Sequence, residues 1–276
     1  MLSGLTPSEI VFVAGALVAA GLVVGYLAGL LGIGGGGIAV PILYEVFRIV
    51  GVDDEIRMHL AVGTSLAVIL PTSIRSFLLH RKRGAVDIEV LRTVGPGVLV
   101  GVLAGILVAG VVDGSFLKAV FVVVAYVMAA KQLTGADRWR LGDELPGMGV
   151  RWGVGLVTGF ASALNGIGGG AFITGFMTFY GRDMLKALAT ASGIGPLIAL
   201  PGVIGYALTG WGHPGLPFGS VGYVSLIGAA LVVPSSLLAA GYGVASAHRF
   251  SKRTLGMAFA AFMLFVGTRF LWSLIG

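Results

Sequence analysis

The stretch "GLLGIGGGGIAVP", residues 29–41, contains the Gly-x-Gly-x-x-Gly pattern of dinucleotide-binding turns at Gly32, Gly34 and Gly37. That pattern binds a nucleotide where it joins a strand to a helix in a soluble βαβ unit. Here the glycines follow a long apolar segment, residues 10–32, and no soluble strand is predicted before them. A nucleotide site is therefore not expected, and the glycines need another explanation.

The composition is that of a protein embedded in a membrane. Hydrophobic residues make up 57% of the 276 residues and charged residues 11%, whereas soluble domains carry about 25% charged residues. A helix needs about 20 apolar residues to cross a bilayer. Seven segments meet that length: 10–32, 59–80, 93–112, 115–133, 189–209, 221–244 and 255–275. Shorter apolar pieces flank the glycine clusters, at 38–50, 152–164 and 171–181. The sequence therefore predicts an all-α polytopic membrane protein surrounded by the lipid bilayer.

The chain is a duplication. "GLVVGYLAGLLGIGGG" at 21–36 and "GLVTGFASALNGIGGG" at 155–170 are identical at ten of sixteen positions and lie 134 residues apart, about half the chain. Five apolar pieces per half, an odd number, would turn the second half upside down relative to the first. We predict a first membrane repeat (1–134), a cytoplasmic linker (135–150) and a second, inverted repeat (151–276). Each repeat would begin with a glycine-broken helical hairpin, followed by three transmembrane helices.

The distribution of Lys and Arg tests this arrangement, because basic residues concentrate in cytoplasmic loops. The loop "HRKRG" at 80–84 is strongly basic, whereas the corresponding loop at 210–220 contains no Lys or Arg. The resulting topology places both termini on the outer face and 14 of the 18 basic residues inside. The four left outside are Arg48, Arg57, Lys118 and Arg269. The cytoplasmic excess accounts for the net charge of +6, so no nucleic-acid partner is expected.

The paired glycine clusters are candidates for a binding site. Unpaired backbone in hydrocarbon costs several kcal/mol per group, so broken helices persist where protein, water or a ligand satisfies them. The helices that restart near Gly37 and Ala171 present free N–H groups and positive dipole ends, which together suit an anion. Inverted repeats with broken helices are typical of secondary transporters with a site at the repeat interface. The predicted binding glycines are Gly34, Gly35, Gly36, Gly37, Gly168, Gly169 and Gly170.

Tight helix packing is the alternative role for glycine in a membrane. Two stripes have the small-xxx-small spacing of packing faces: Gly21, Gly25 and Gly29, and Gly97, Gly101 and Gly105. For these stripes we favour packing. They could serve a homo-oligomer or pack within one chain, and the sequence does not distinguish the two.

The doubled motif resembles the sulfite exporter TauE/SafE family of membrane permeases. The resemblance rests on "GLVVGYLAGLLGIGGGGIAVPIL" and "GLVTGFASALNGIGGGAFITGF", each followed by a small-residue helix with Ser or Thr. It implies movement of small sulfur-containing anions such as sulfite, sulfoacetate and related organosulfonates, usually outward across the bacterial inner membrane. The second copy departs from the first at Asn165 for Leu31, Ala171 for Gly37 and Gly175 for Pro41. An anion channel or facilitator, or an importer of a related sulfur oxyanion, remains an alternative.

Polar side chains near the breaks are candidate ligands of the anion. Asn165 directly precedes the second glycine cluster, where its amide could contact an oxyanion or cap the broken helix. Thr64, Ser65 and Ser192 could donate hydroxyls to sulfonate oxygens. Bonding to their own backbone is the commoner use of such hydroxyls in membrane helices.

Two residues are candidates for coupling transport to protons. Glu45 follows the first glycine cluster and could carry a proton if its helix is buried; otherwise it is an ordinary residue of the outer face. His59 begins an apolar segment near the outer face and could carry a proton, because the ordinary pKa of histidine is near neutral. A solvated position for His59 is the simpler interpretation.

Several chemistries are not expected. The sequence has no cysteine, which leaves out thiol relays, disulfides and iron–sulfur clusters. Its four histidines show no metal-ligand spacing, and no Walker lysine follows either glycine cluster. No Asp pair or Ser–His pair at membrane depth suggests an intramembrane enzyme. We therefore predict no catalytic residue, no metal and no cofactor.

Overall fold

The computed structural model describes residues 7–31, 36–134, 140–247 and 252–275, and it is nearly all-helical. The elements are α1 (Pro7–Leu31), α2 (Gly36–Ile49), α3 (Asp54–Lys82), α4 (Ile88–Ala109), α5 (Gly114–Thr134), α6 (Met148–Asn165), α7 (Gly170–Phe179), α8 (Met184–Thr209), β1 (Ser220–Val221), β2 (Val224–Ser225), α9 (Leu226–Ala247) and α10 (Lys252–Ile275).

The chain is an integral membrane protein. Seven of the described helices are long and apolar enough to cross a membrane, namely α1, α3, α4, α5, α8, α9 and α10. Large apolar side chains such as Leu107, Val123 and Phe265 are exposed on the outside of these helices. Such a surface is costly in water and suits contact with lipid.

The helices of the two predicted repeats can be compared one by one. α1 and α6 precede the glycine clusters, and α2 and α7 begin within them. Pro71 of α3 and Pro201 of α8 each stand 17 residues after the first residue of their helix. α3 and α8 pack against each other, and α3 is buried on all sides over 58–66. A helix that is buried all round lies at the centre of its domain.

The glycine stripe of α4 packs against α6. A Cβ at Gly97, Gly101 or Gly105 would come closer than 3.0 Å to an atom of α6. Gly155 and Gly159 on α6 meet the α4 backbone equally closely, a packing role not expected from the sequence. Without side chains in the way, the two backbones can touch.

The glycine stripe of α1 makes a similar backbone contact with α9, a helix of the other half. A Cβ at Gly21 of α1 would collide with Ser235 of α9, and one at Gly25 would collide with the backbone of Ser236. Thus α1 of the first half packs on α9 of the second, while α6 of the second packs on α4 of the first. The packing interpretation is confirmed for Gly21, Gly25 and the stripe of α4, and both contacts are made within one chain; the surroundings of Gly29 lie outside the described part of the chain.

Two ends of the helix bundle can be distinguished by their ion pairs. At the first, here named the Asp54 end, Asp54 at the start of α3 accepts hydrogen bonds from Tyr44 of α2 at 2.6 Å and Lys118 of α5 at 2.7 Å. Arg269, near the end of α10, donates to Glu45 of α2 at 2.9 Å.

The opposite end, here named the Asp87 end, joins the starts of α4, α6 and α8. Lys186 lies 3.2 Å from Asp87, and Arg151 lies 2.8 Å from Glu89. Arg151 and Lys186 are basic residues predicted inside, whereas the four predicted outside all lie at the Asp54 end. Arg151 and Lys186 thus lie at the opposite end from the other four, and which end is cytoplasmic stays a prediction.

One segment differs from its predicted structure. The apolar run 221–244 was expected to be helical throughout, but α9 begins at Leu226. Before it, Ser220 pairs with Ser225 and Val221 with Val224 in a short antiparallel hairpin. Glycine at the first central position of a two-residue turn is typical of such hairpins, and Gly222 occupies that position. Apolar composition alone does not reveal the change from strand to helix.

Candidate functional site

The second glycine break lies at the centre of the bundle, between α3 and α8. α6 ends at Asn165, and Gly166 continues in the left-handed region with a φ of 62°. Gly169 precedes α7 with a φ of 70°, a conformation that L side chains rarely adopt. A Cβ at Gly166 would lie 3.1 Å from Val62 of α3, and one at Gly169 would come 2.5 Å from Ile198 of α8. The two glycines therefore allow both the reversal of the chain and its close packing.

The start of α2 contacts this break. A Cβ at Gly37 would lie 4.0 Å from Ile167, and one at Gly166 would lie 2.7 Å from Val40. Met263 of α10 closes the same region, with its terminal carbon 3.0 Å from the Gly37 position. The start of α2 thus meets the turn that joins α6 to α7. Of the predicted binding glycines, Gly36 and Gly37 begin α2, Gly168 and Gly169 lie in the second break and Gly170 begins α7; Gly34 and Gly35 lie outside the described residues.

The start of α7 offers backbone N–H donors beside the second break. The first hydrogen bond with α-helical spacing joins the N–H of Ile173 to the carbonyl of Gly169, at 3.1 Å. Within the described part of the chain, the preceding N–H groups of Ala171 and Phe172 make no hydrogen bond. Free N–H groups at a helix start carry partial positive charge and attract anions.

Ser65 holds the break to α3. Its fully buried hydroxyl donates to the carbonyl of Gly166 at 2.9 Å. Thr64 beside it instead accepts the N–H of Ser225 at 2.9 Å, and so it binds the β hairpin. Ser192 donates to the carbonyl of Ala189 in its own helix at 2.6 Å. Of these three predicted hydroxyls, the structure therefore brings Ser65 to the break.

Asn165 is fully buried at the end of α6. Its amide nitrogen donates to the carbonyl of Ala161, one turn earlier, at 2.8 Å. Its amide oxygen has no partner among the described residues. A primary amide has two N–H donors, so Asn165 retains one donor and its acceptor. The side chain is thus only partly used in capping its helix.

Two polar side chains at the break were not expected from the sequence. Ser162 stands three residues before Asn165, on the same face of α6, and its buried hydroxyl also lacks a described partner. Tyr206 of α8 is fully buried and donates to the carbonyl of Ala163 at 2.9 Å. The spacing of Ser162 and Asn165 could have indicated from the sequence that Ser162 belongs to the site. Nothing in the sequence indicates that Tyr206 contacts α6.

The two candidates for proton coupling lie away from the break, toward the Asp54 end. His59 is 5% exposed rather than solvated; Nε2 lies 3.1 Å from the carbonyl of Ala109, and Nδ1 has no partner in the described chain. The ring lies 4.9 Å from that of Tyr223. Six residues of helix separate His59 from Ser65, a rise of about 9 Å.

Glu45 lies at the surface of the Asp54 end. Its carboxylate accepts hydrogen bonds from Arg48 and Arg269, each at 2.9 Å. The side chain is 27% exposed, so Glu45 is an ion-paired residue at the protein surface rather than an isolated buried acid. No group of three or more His, Asp or Glu side chains in the described ranges could hold a metal ion.

The chain is similar to known membrane transporters over nearly its whole length. Residues 17–270, which include both breaks, match the family described as Sulfite exporter TauE/SafE. A Haemophilus influenzae protein described as "Probable membrane transporter protein" is 31% identical over 248 residues, covering 89% of this chain and 93% of the relative. A Methanocaldococcus jannaschii protein described as "Probable membrane transporter protein MJ0441" is 29% identical over 252 residues, covering 91% and 92%. No solved structure matches the chain.

Proposed function

Because the chain belongs to the sulfite exporter TauE/SafE family of membrane transporters, we propose that it carries small sulfur-containing anions, such as sulfite or organosulfonates, by secondary transport. The proposed direction is outward across a bacterial-type inner membrane, with both termini on the outer face. Its relatives are named as transporters, and we assign no catalytic residue or cofactor.

The contact between the start of α2 and the second break carries this proposal. At that place Gly37 approaches Ile167, and the N–H groups of Ala171 and Phe172, which have no hydrogen-bond acceptor among the described residues, lie at the start of α7. An anion held there would be stabilised by backbone donors and by the positive ends of helix dipoles. The absence of side chains on the glycines would let the anion approach the backbone closely.

The polar atoms left over on α6 would complete the binding site. Within the described ranges, the hydroxyl of Ser162 and the amide oxygen of Asn165 have no hydrogen-bond partner, and one amide N–H of Asn165 is spare. Unsatisfied polar groups are costly in a membrane interior, and they commonly mark a substrate path. Donors from both residues would bind sulfonate or sulfite oxygens, and the Asn165 oxygen would accept from a protonated substrate or a water.

Inversion of the two halves would give the alternating access that transport requires. α4 and α6 run in parallel, since Gly97 contacts Trp152 and Gly101 contacts Leu156. α6 begins at the Asp87 end, beside the start of α4. α1 is likewise parallel to α9, which starts at the opposite end after the β hairpin. The first helices of the two halves would thus begin on opposite sides, with the binding site between the repeats.

Reconstituted vesicles test the proposal. The purified chain would be placed in liposomes loaded with ³⁵S-labelled sulfite, and efflux would be compared with that of labelled sulfoacetate and of chloride. We expect saturable sulfite or sulfoacetate efflux well above that of empty liposomes. Failure of the folded protein to move any sulfur anion would overturn the proposal. Non-saturating conduction that includes chloride would indicate a channel instead.

Three variants locate the site. Asn165→Leu introduces the residue found at the equivalent position of the first repeat, and Gly168→Ala places a methyl 3.1 Å from Ile69. We expect both variants to lose at least tenfold in transport rate. Gly153→Leu on α6 is the control, because a Cβ there meets nothing within 4 Å. If all three variants transport like the wild type, the break is not the site.

A further inference from the structure

A charged cavity of about 180 Å³ opens at the Asp54 end. Its charged lining comes from α2, α3, α5 and α10 and comprises Glu45, Arg48, Asp54, Arg57, Lys118 and Arg269. The four basic residues in this set are the same four that the sequence left outside the cytoplasmic excess. Residues separated by up to 224 positions in the chain are thus gathered around one cavity.

The ion pairs in the lining leave an excess of positive charge. Asp54 is bound by Arg57 at 2.9 Å and Lys118 at 2.7 Å. Glu45 is bound by Arg48 and Arg269, each at 2.9 Å. Each acid is therefore shared by two cations, and the four cations and two acids leave a net charge of +2.

Part of this charge is shielded from water. The side chain of Lys118 is only 2% exposed and that of Arg57 is 13% exposed. Charges that are removed from water must be compensated by close counter-charges. A bound anion would supply the compensation that Asp54 and Glu45 provide only in part.

Donors for such an anion remain at the mouth of the cavity. Arg48 uses only Nε, and Arg269 only one terminal nitrogen, in hydrogen bonds among the described residues. The remaining N–H groups of a guanidinium form a planar fork that matches two oxygens of an oxyanion. Since one water occupies about 30 Å³, the cavity has room for a small oxyanion with a few waters.

We propose that this cavity binds one small divalent oxyanion, of the sulfate, sulfite or phosphate type, between Arg48 and Arg269. A charge of −2 balances the lining, and the two guanidinium forks provide the directional contacts. The site lies at the surface of the bundle, apart from the second glycine break, and its existence does not depend on the proposed transport.

Binding measured without transport tests the site. The full chain, in nanodiscs of phosphatidylcholine, is titrated calorimetrically with sulfate and with chloride. The wild type is expected to bind sulfate at least tenfold more tightly than chloride. The double variant Arg48→Gln/Arg269→Gln loses both forks and should bind sulfate at least tenfold more weakly.

Two further variants separate binding from general effects of charge. Arg140→Gln also removes one cation and an (i, i+3) ion pair, the one with Asp143, and it should change sulfate affinity less than twofold. Glu45→Gln raises the net charge of the lining to +3 and releases two N–H donors, so it should bind sulfate several-fold more tightly. A Glu45 that merely holds the fold would produce weaker binding instead, and that result would overturn the proposal.

The remaining outcomes are distinct. A folded wild type that does not bind sulfate, or a double variant that binds it like the wild type, overturns the site. Asn165→Leu should bind sulfate here normally even where it fails to transport, so failure of the break site can be recognised separately. Repeating the titration in nanodiscs that contain phosphatidic acid, whose phosphomonoester can carry two negative charges, identifies the source of the anion; nanodiscs with phosphatidylglycerol, a singly charged phosphodiester, control for the charge of the membrane surface. Sulfate binding that phosphatidic acid suppresses more strongly than phosphatidylglycerol does indicates a lipid phosphate as the natural occupant, and equal binding in the two indicates a free oxyanion.

Discussion

Replacing Ser65 by alanine removes a hydroxyl that donates to the Gly166 carbonyl across 2.9 Å, in a position with no exposure. The carbonyl belongs to the irregular backbone of the second break, and Gly166 is buried. Leaving a buried acceptor unpaired costs ~1–3 kcal/mol in proteins, and hydrogen bonds between membrane helices measure at or below ~2 kcal/mol. We therefore expect Ser65→Ala to lower the free energy of unfolding by about 1–2 kcal/mol.

Ser192→Ala is the matched control, because the same hydroxyl is removed from a residue that bonds only the Ala189 carbonyl in its own helix. Thermal unfolding of the two variants in one detergent would be followed by tryptophan fluorescence. For a chain of this size, about 2–4 °C in Tm corresponds to 1 kcal/mol, so Ser65→Ala should lower Tm by about 2–8 °C. Ser192→Ala should lower it by less than about 2 °C. Equal shifts for the two variants would refute the role of Ser65 in holding the break.

Two other predictions follow from packing and from charge. Gly159→Leu would collide with the backbone of α4 and should prevent folding into a monodisperse species on size-exclusion chromatography, whereas Gly153→Leu, which has open space around it, should not; equal behaviour would contradict the packing assignment. Burial would raise the pKa of Asp87, but the Val90 amide and the Lys186 ammonium outweigh it and hold the pKa below its ordinary value of 3.8. The stabilisation from Asp87 is therefore fully present above about pH 4 and is lost as the pH falls through the lower folded pKa. Tm measured between pH 7 and pH 3 should show the advantage of the wild type over Asp87→Asn shrinking at the acid end; a constant difference would contradict the assignment.

The spanning helices were predictable because length and hydrophobicity alone determine which segments can cross a bilayer. The residues at which these helices begin and end were less predictable. α3 was expected to be apolar from residue 59, but it begins at Asp54. Asp53 caps its first turn by accepting the N–H of Glu55, and this turn is too polar to register in a search for apolar runs. Capping chemistry and hydropathy are therefore separate signals, and a search that uses one misses the other.

The approach of the start of α2 to the second break agrees with the sequence for a different reason. A motif that occurs twice in a duplicated chain lies at corresponding places in the two halves, and inversion of the halves, which stays a prediction, would bring such places together. The side-chain contacts at the break could not be derived in this way. Ser65 and Gly166 are 101 residues apart in the chain, and a serine in an apolar helix looks the same whether it bonds its own helix or another. Ser192 bonds its own helix and Ser65 bonds the break, and this difference arises only when the helices are packed.

The two glycine motifs differ in sequence at a position that carries polar chemistry. Where the second copy has Asn165, the first has Leu31. The second break therefore gains a buried amide that the first lacks, and Ser162 adds a hydroxyl beside it. Backbone N–H groups bind any small anion by charge and do not distinguish one oxyanion from another, whereas a fixed amide and hydroxyl select by the positions of oxygens. Within the proposed function, discrimination between sulfur anions would thus come mainly from the second repeat. The duplicated glycines would then supply the general affinity for negative charge, and the departures from the duplication would supply the choice of substrate.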